Sequence, residues 1–180
     1  MYEVIVERNH VNQKKARFLR PVFGAFFYEA AMKFYRLSSE FYKVYNQYDE
    51  ILTKEDRPYY ILLIELNNLT FAIPLRSNIT HQYCFIADKT NNKRSGLDYS
   101  KALVFTEPSL YIDLTPVTIR QHEFNILKKN EYLIKTQFSS YVKNYKKEVI
   151  RRIKNKELPA SSLYIYSSLK YFHNELGLDV

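Results

Sequence analysis

Apolar and polar positions change period several times along this chain, and the changes mark out its elements. Lys33-Phe34-Tyr35-Arg36-Leu37 alternates like a half-buried strand. Ser38 and Ser39 then offer hydroxyls to the first turn of a helix whose Phe41, Val44, Tyr45 and Tyr48 fall at i, i+3, i+4 and i+7. After a charged loop ending at Pro58, residues 59–66 and 69–75 are apolar runs separated by Asn67-Asn68. Asparagine tolerates positive φ, so this pair predicts a two-residue hairpin turn. Pro74 has no N–H for a ladder, which predicts a place on a sheet edge or at the strand's end. Short strands are expected over 83–87 and 102–105, with the polar, basic stretch 89–96 as a loop between them, and edge strands over 111–114 and 117–119 around Pro116.

From Gln121 the period becomes helical, with Phe124 and Leu127 first. Ile134, Phe138, Tyr141, Val142, Tyr145, Val149 and Ile153 then form one apolar stripe that leaves the lysines outward. Pro159 closes this region, Ser161 and Ser162 cap a last helix through Leu163, Tyr166 and Leu169, and Gly177 suits its stop. Together these elements predict one α+β domain over residues 32–180, a central mixed or antiparallel sheet with helices against it. Residues 1–31 read as an extension with a Tyr2-Val4-Val6 alternation, a basic turn and an apolar Phe23 to Phe27 cluster.

Composition narrows the classes. With 46% apolar and 26% charged residues over 180 positions, the chain is long and apolar enough for a core that needs no staples. Its 17 Tyr and 12 Phe, without Trp, suit both core edges and surfaces on which unpaired bases stack. A single cysteine, Cys84, excludes an internal disulfide and points to a reducing compartment. His10, His81, His122 and His173 have no metal-ligand spacing, three scattered glycines cannot form a phosphate loop, and there is no Gly-x-Ser-x-Gly elbow. No metal and no cofactor are therefore expected. No apolar run approaches the ~20 residues of a membrane span, and the 22–27 segment is too short for a signal peptide. A cytoplasmic protein with no membrane partner is the expectation. The formal charge of +8 is concentrated between Lys128 and Lys156, where ten Lys and Arg face only Glu131 and Glu148. Such a helix face attracts polyanions: RNA, DNA or acidic lipid.

One stretch concentrates chemistry: Ile73-Pro74-Leu75-Arg76-Ser77-Asn78-Ile79-Thr80-His81. Metal-free RNA cleavage asks for little, because the 2′-hydroxyl attacks its own neighbouring phosphorus. The protein removes that proton, protonates the 5′-oxygen and stabilises charge on the phosphate. Arg grips phosphate, Ser and Thr donate to its oxygens, and His exchanges protons near neutral pH. Arg76, Ser77, Thr80 and His81 supply this kit. Each also has an ordinary reading: Arg76 bridged to Asp88 or Glu65, Ser77-Asn78 as turn chemistry, His81 as a hydrogen-bonding loop residue.

Met32-Lys33-Phe34-Tyr35-Arg36-Leu37-Ser38-Ser39 resembles the start of the ToxN/AbiQ-type toxins of type III toxin–antitoxin systems. The Ile73 to His81 stretch and Gly96-Leu97-Asp98-Tyr99-Ser100-Lys101-Ala102 resemble the branch containing CptN and TenpN. The resemblance runs from about Met32 through the basic helix and does not include residues 1–31. It implies a compact, twisted, mainly antiparallel sheet flanked by helices, similar to Kid/MazF, and a metal-independent endoribonuclease leaving a 2′,3′-cyclic phosphate and a 5′-hydroxyl. It also implies inhibition by a small structured RNA antitoxin that the toxin processes from a repeat precursor, a closed protein–RNA assembly, and phage defence by abortive infection acting on cellular or phage RNA. ToxN has Thr-Ser-x-Lys where this chain has Arg76-Ser77-Asn78-Ile79, so only Ser77 carries over. A family tyrosine near the first helix meets Phe41, with Tyr42 one step away.

The reading that follows has Arg76 holding the scissile phosphate, Ser77 stabilising it and His81 as general acid or base. Lys33, Asn78, Thr80, Lys89, Lys93, Arg94 and Lys101 are expected to contact RNA, as are Lys143, Lys146, Lys147, Arg151 and Lys154 on the long helix, with Tyr35, Tyr48 or Tyr99 stacking bases. The alternative is a non-catalytic RNA- or DNA-binding module using the same basic helix.

Overall fold

Asn67 and Asn68 both take positive φ, 53° and 63°, and fold β2 (Tyr60–Leu66) back onto β3 (Leu69–Arg76), as their sequence predicts. The same device recurs where it was not expected. Asn92, at φ 59°, lies in the turn between β4 (Cys84–Thr90) and β5 (Lys93–Asp98). The polar stretch 89–96 is thus a hairpin, not a loop. Its β4 arm is the outermost strand, so its polar side chains face solvent and leave little apolar alternation to read. The computed structural model describes residues 32–51, 60–90, 92–157 and 159–178. The expectations for 1–31 and for most of the charged loop ending at Pro58 lie outside them.

β1 (Phe34–Leu37), β2 and β3 continue the sheet, β6 (Leu103–Phe105) pairs with β3, and β7 (Ile112–Val117) closes the far edge against β1. Every pairing is antiparallel, and the order is β4-β5-β3-β2-β1-β7. Two strands expected around Pro116 are this one β7, and an edge strand tolerates the proline. Pro74 departs from expectation more sharply, since it pairs with Ile61 inside β3, a central strand. In this two-residue hairpin the Leu66–Leu69 pair is hydrogen-bonded and alternate pairs follow, so the Pro74 nitrogen points away from β2. On that side β6 pairs with residues 70–72 and β5 with Leu75 and Arg76. Pro74 occupies the gap between the two partners, where no N–H is needed.

Gly96 is required by the approach of the two arms of the β4–β5 hairpin. A Cβ there would lie 1.9 Å from the Phe85 carbonyl oxygen, beside a register shift between Ile86 and Asp88.

Five helices complete the described fold. Helix α1 (Ser39–Tyr45) is capped by Ser38, whose hydroxyl accepts from the Phe41 amide. It ends before Tyr48, which instead lies against the Tyr171 ring at 4.4 Å, and Val44 is exposed. Short α2 (Pro108–Tyr111) precedes β7; α3 (Gln121–Lys129) and the long α4 (Glu131–Lys154) follow it, and short α5 (Ser162–Ile165) comes last. The last helix expected through Leu169 is divided between α5 and a 3-10 turn, Ser168–Tyr171, while Gly177 takes φ 65° in the closing turn. The α4 stripe is buried from Ile134 to Val149, but Ile153 is exposed near the helix end. Phe138 at its centre packs edge-on against Phe71 of β3 at 5.1 Å, with the tilted Tyr99 ring at 5.5 Å, which anchors the helix over the sheet. Among the described residues no helix is long and apolar enough to cross a membrane.

Candidate functional site

Register creates the centre of the site. Leu75 pairs with Leu97, so Arg76 and Asp98 stand one step to either side of that pair and project from the same sheet face. A long arginine spans such a diagonal, and Arg76 Nη1 donates to Asp98 Oδ2 at 2.5 Å. The partner expected for Arg76, Asp88 or Glu65, is thus Asp98, 22 positions away.

Asp98 is fully buried, and a carboxylate in that position requires donors on both oxygens. Oδ1 accepts from the Ser100 amide at 3.0 Å and the Ser100 hydroxyl at 2.6 Å. His81 Nε2 lies 3.3 Å from the same Oδ1 and 3.3 Å from Ser100 Oγ. The Ser100 hydrogen is already given to Asp98, so both neighbours of Nε2 are acceptors and Nε2 carries the ring hydrogen. Nδ1 is buried and has no partner among the described residues. The 33% of the His81 side chain that meets solvent therefore excludes Nδ1, and Nε2 is held by Asp98. A turn about χ2, which exchanges ring nitrogens for ring carbons, is needed before His81 can offer a nitrogen elsewhere. Ser100, His81 and Asp98 have the composition of an acyl-transfer triad but not its geometry: serine and aspartate share one nitrogen, and Ser100 is buried.

The loop carrying these groups is fastened at several points. Ile79 is buried and its amide donates to the Arg94 carbonyl at 3.0 Å, while Asn78 turns the chain at φ 60°. Cys84 Sγ donates to the His81 carbonyl, and Arg94 Nη2 reaches Cys84 Sγ at 3.6 Å. Burial raises the Cys84 thiol pKa, against the opposing pull of Arg94. Behind the site, Ser168 Oγ donates to the Ala102 carbonyl at 2.6 Å and lies 3.2 Å from that of Ser100, joining the C-terminal segment to it.

Arg76 keeps 28% of its side chain exposed. A groove of about 380 Å³ runs past the same strand end, lined by Leu75, Arg76 and Ser77. Thr118, Ile119 and Arg120 in the segment after β7 also line it, with Tyr60 at the start of β2. Ser95 and Glu123 contribute buried polar groups. Glu123 accepts from Ser95 Oγ at 2.7 Å and from Arg120 Nη2 and Nε at 2.8 and 2.9 Å. His81 is not among the groove's lining residues.

The remaining predicted residues divide by environment. Lys33, Ser77, Asn78, Thr80, Lys89, Lys93, Lys143, Lys147, Arg151 and Lys154 are exposed, and Arg94 and Lys146 are half-buried. Arg151 forms a two-point pair with Glu148, whose pKa it holds down at about 2, and Lys146 donates to the Leu176 carbonyl at 2.6 Å. Lys101 donates to the Tyr166 carbonyl, and burial lowers its pKa against the pull of Glu50 and Asp98. Two of the expected stacking platforms are corrected: Tyr35 and Tyr99 are core residues without an open ring face, and burial raises both phenol pKa values. Tyr48 keeps partial exposure against Tyr171.

Sequence reasoning missed Asp98 and Ser100 as site residues, together with Arg120, Glu123 and Thr118. A usable signal was present for Asp98, a carboxylate set directly between Leu97 and Tyr99. Among the described residues no group of three or more His, Cys, Asp or Glu could hold a metal ion. No protein family, curated protein or solved structure matches this chain.

Proposed function

We propose that the protein is a metal-independent endoribonuclease that cuts single-stranded RNA by attack of the 2′-hydroxyl on the adjacent phosphorus. The observation that carries this reading is Arg76, held by a buried carboxylate on the last residue of a sheet strand, with Ser77 beside it on the wall of an open groove. A guanidinium fixed in this way keeps N–H donors for the non-bridging oxygens, where charge grows as the O2′–P bond forms and the P–O5′ bond breaks. Ser77 adds a hydroxyl donor. His81 carries the proton from O2′ or to O5′ once its ring has turned out from Asp98. By the resemblance of the Met32, Ile73 and Gly96 stretches, the activity is that of a toxin restrained by a repeat-derived RNA in a closed protein–RNA assembly, with a cytoplasmic role in phage defence.

A second reading, a nucleic-acid-binding module without cleavage, is favoured by one observation: both His81 nitrogens are turned inward. Incubating the full chain with single-stranded RNA and the matching DNA in EDTA separates the two. The expected result is cut RNA with 2′,3′-cyclic phosphate ends and intact DNA. RNA that is bound yet stays intact overturns the nuclease reading and leaves the binding module.

A further inference from the structure

We infer that Lys101 is a second catalytic cation of the Arg76–Asp98 site, its ammonium meeting the phosphate that Arg76 holds; this rests on the RNA-cleavage reading and adds a residue to it. Local geometry brings Lys101 there. Asp98, which fixes Arg76, is also the N-cap of the 3-10 turn Tyr99–Lys101. Side chains three positions apart eclipse in such a turn, so Lys101 returns to the side of Asp98. Its half-buried side chain ends at the Tyr166 carbonyl, to which Nζ donates at 3.2 Å. Burial lowers its pKa; Glu50 and Asp98 oppose this, while Arg76 and Lys170 add to it, so all four charges lie within electrostatic reach of the ammonium.

Those charges do not balance. Asp98 takes Arg76 on one oxygen and Ser100 on the other. Glu50 Oε2 accepts from Lys170 at 2.7 Å and from the Tyr171 hydroxyl at 2.5 Å. Both carboxylates are thus engaged, and among the described residues none lies within ion-pair distance of Lys101. Three cations meet two carboxylates, which leaves one positive charge without a counter-charge. Capping the end of α5 uses a single N–H of Lys101, and Lys170 already serves the adjacent Ile165 carbonyl. Two ammonium donors remain. The reaction needs that charge. As O2′–P forms and P–O5′ breaks, with one proton leaving O2′ and one reaching O5′, the phosphate passes from one negative charge toward two. Asp98 cancels most of the Arg76 charge, so the guanidinium orients the oxygens while an uncompensated ammonium beside it supplies the field.

The test measures single-turnover cleavage of single-stranded RNA by the full chain in EDTA, and in parallel the binding of the same RNA with 2′-O-methyl riboses, which lacks the nucleophile. Lys101→Gln removes the charge and keeps an amide donor for the Tyr166 carbonyl; Lys101→Arg keeps the charge. Lys101→Gln is expected to cut about 100-fold or more slowly, with affinity for the methylated RNA within about threefold of wild type. Lys101→Arg is expected to recover at least about tenfold of that loss. Lys101→Met repeats the charge-loss arm if circular dichroism shows Lys101→Gln unfolded. A folded charge-loss variant that cuts within about threefold of wild type overturns the inference and leaves the nuclease reading standing. Equal falls in rate and affinity, or equal slowing in the Gln and Arg variants, also overturn it. Wild type that leaves RNA intact removes the nuclease reading, and the catalytic role of Lys101 with it.

Discussion

Asp98 is the residue on which most of the site depends, because Arg76, Ser100 and His81 all turn toward its two oxygens. Asp98→Asn keeps the shape but turns one acceptor into a donor facing groups that already donate. A loss of about 1–3 kcal/mol of stability follows from leaving buried polar groups mismatched, with the low end set by the partial exposure of Arg76. Urea denaturation measures it, and an unchanged midpoint would remove Asp98 from its central place. His81→Ala bears on chemistry instead: cleavage is expected to disappear while RNA affinity stays within about twofold, because no phosphate contact is assigned to the ring. Parallel loss of both in a folded variant would make His81 a structural member of the network.

At the scale of elements, the α4 helix serves two roles that its sequence does not separate. Lys146 ties the helix to the C-terminal turn through Leu176, whereas Lys143, Lys147 and Lys154 point to solvent. Replacing those three by Gln is expected to weaken RNA binding and lower the slope of log K against log salt by up to about 2, at about 0.7 per phosphate contact on a single strand. Lys146→Gln should instead lower stability. Filter binding across a salt series reads the first effect and thermal melting the second. The C-terminal segment meets α4 again where Tyr145 and His173 share a 2.8 Å hydrogen bond. Burial lowers the His173 pKa below 6.5, so the unfolded chain takes the proton more readily than the fold does. This contribution is complete above pH 6.5 and falls as the pH drops below it toward the folded pKa. Denaturation midpoints measured between pH 7.5 and 5 are expected to decline on the acid side, and His173→Gln to flatten that part of the curve.

For the molecule as a whole, the antiparallel sheet gathers side chains from distant segments at the end of β3, and the helices close over other parts of it. The local signals were legible where a residue's own conformation decides the outcome. Asn67-Asn68 announces a turn because asparagine accepts positive φ, and Ser38 announces a helix start because its hydroxyl satisfies an amide there. The Phe138 stripe is periodic because one face of α4 is dry. Asn92 carries the same turn signal, but an edge strand with polar side chains masked the hairpin. Pro74 was misplaced because its tolerance depends on which strand ends on its far side, a fact held by β5 and β6. The sequence alone thus determined the α+β class, the hairpin that delivers Arg76 and Ser77, and the basic helix, all products of short-range preference and periodic burial. Tertiary structure decided the rest: that Arg76 answers to Asp98, that His81 turns inward, and that Arg120 and Glu123 come to Ser95. Those pairings follow from strand register and from the packing of segments far apart in the chain, and no local window of sequence contains them.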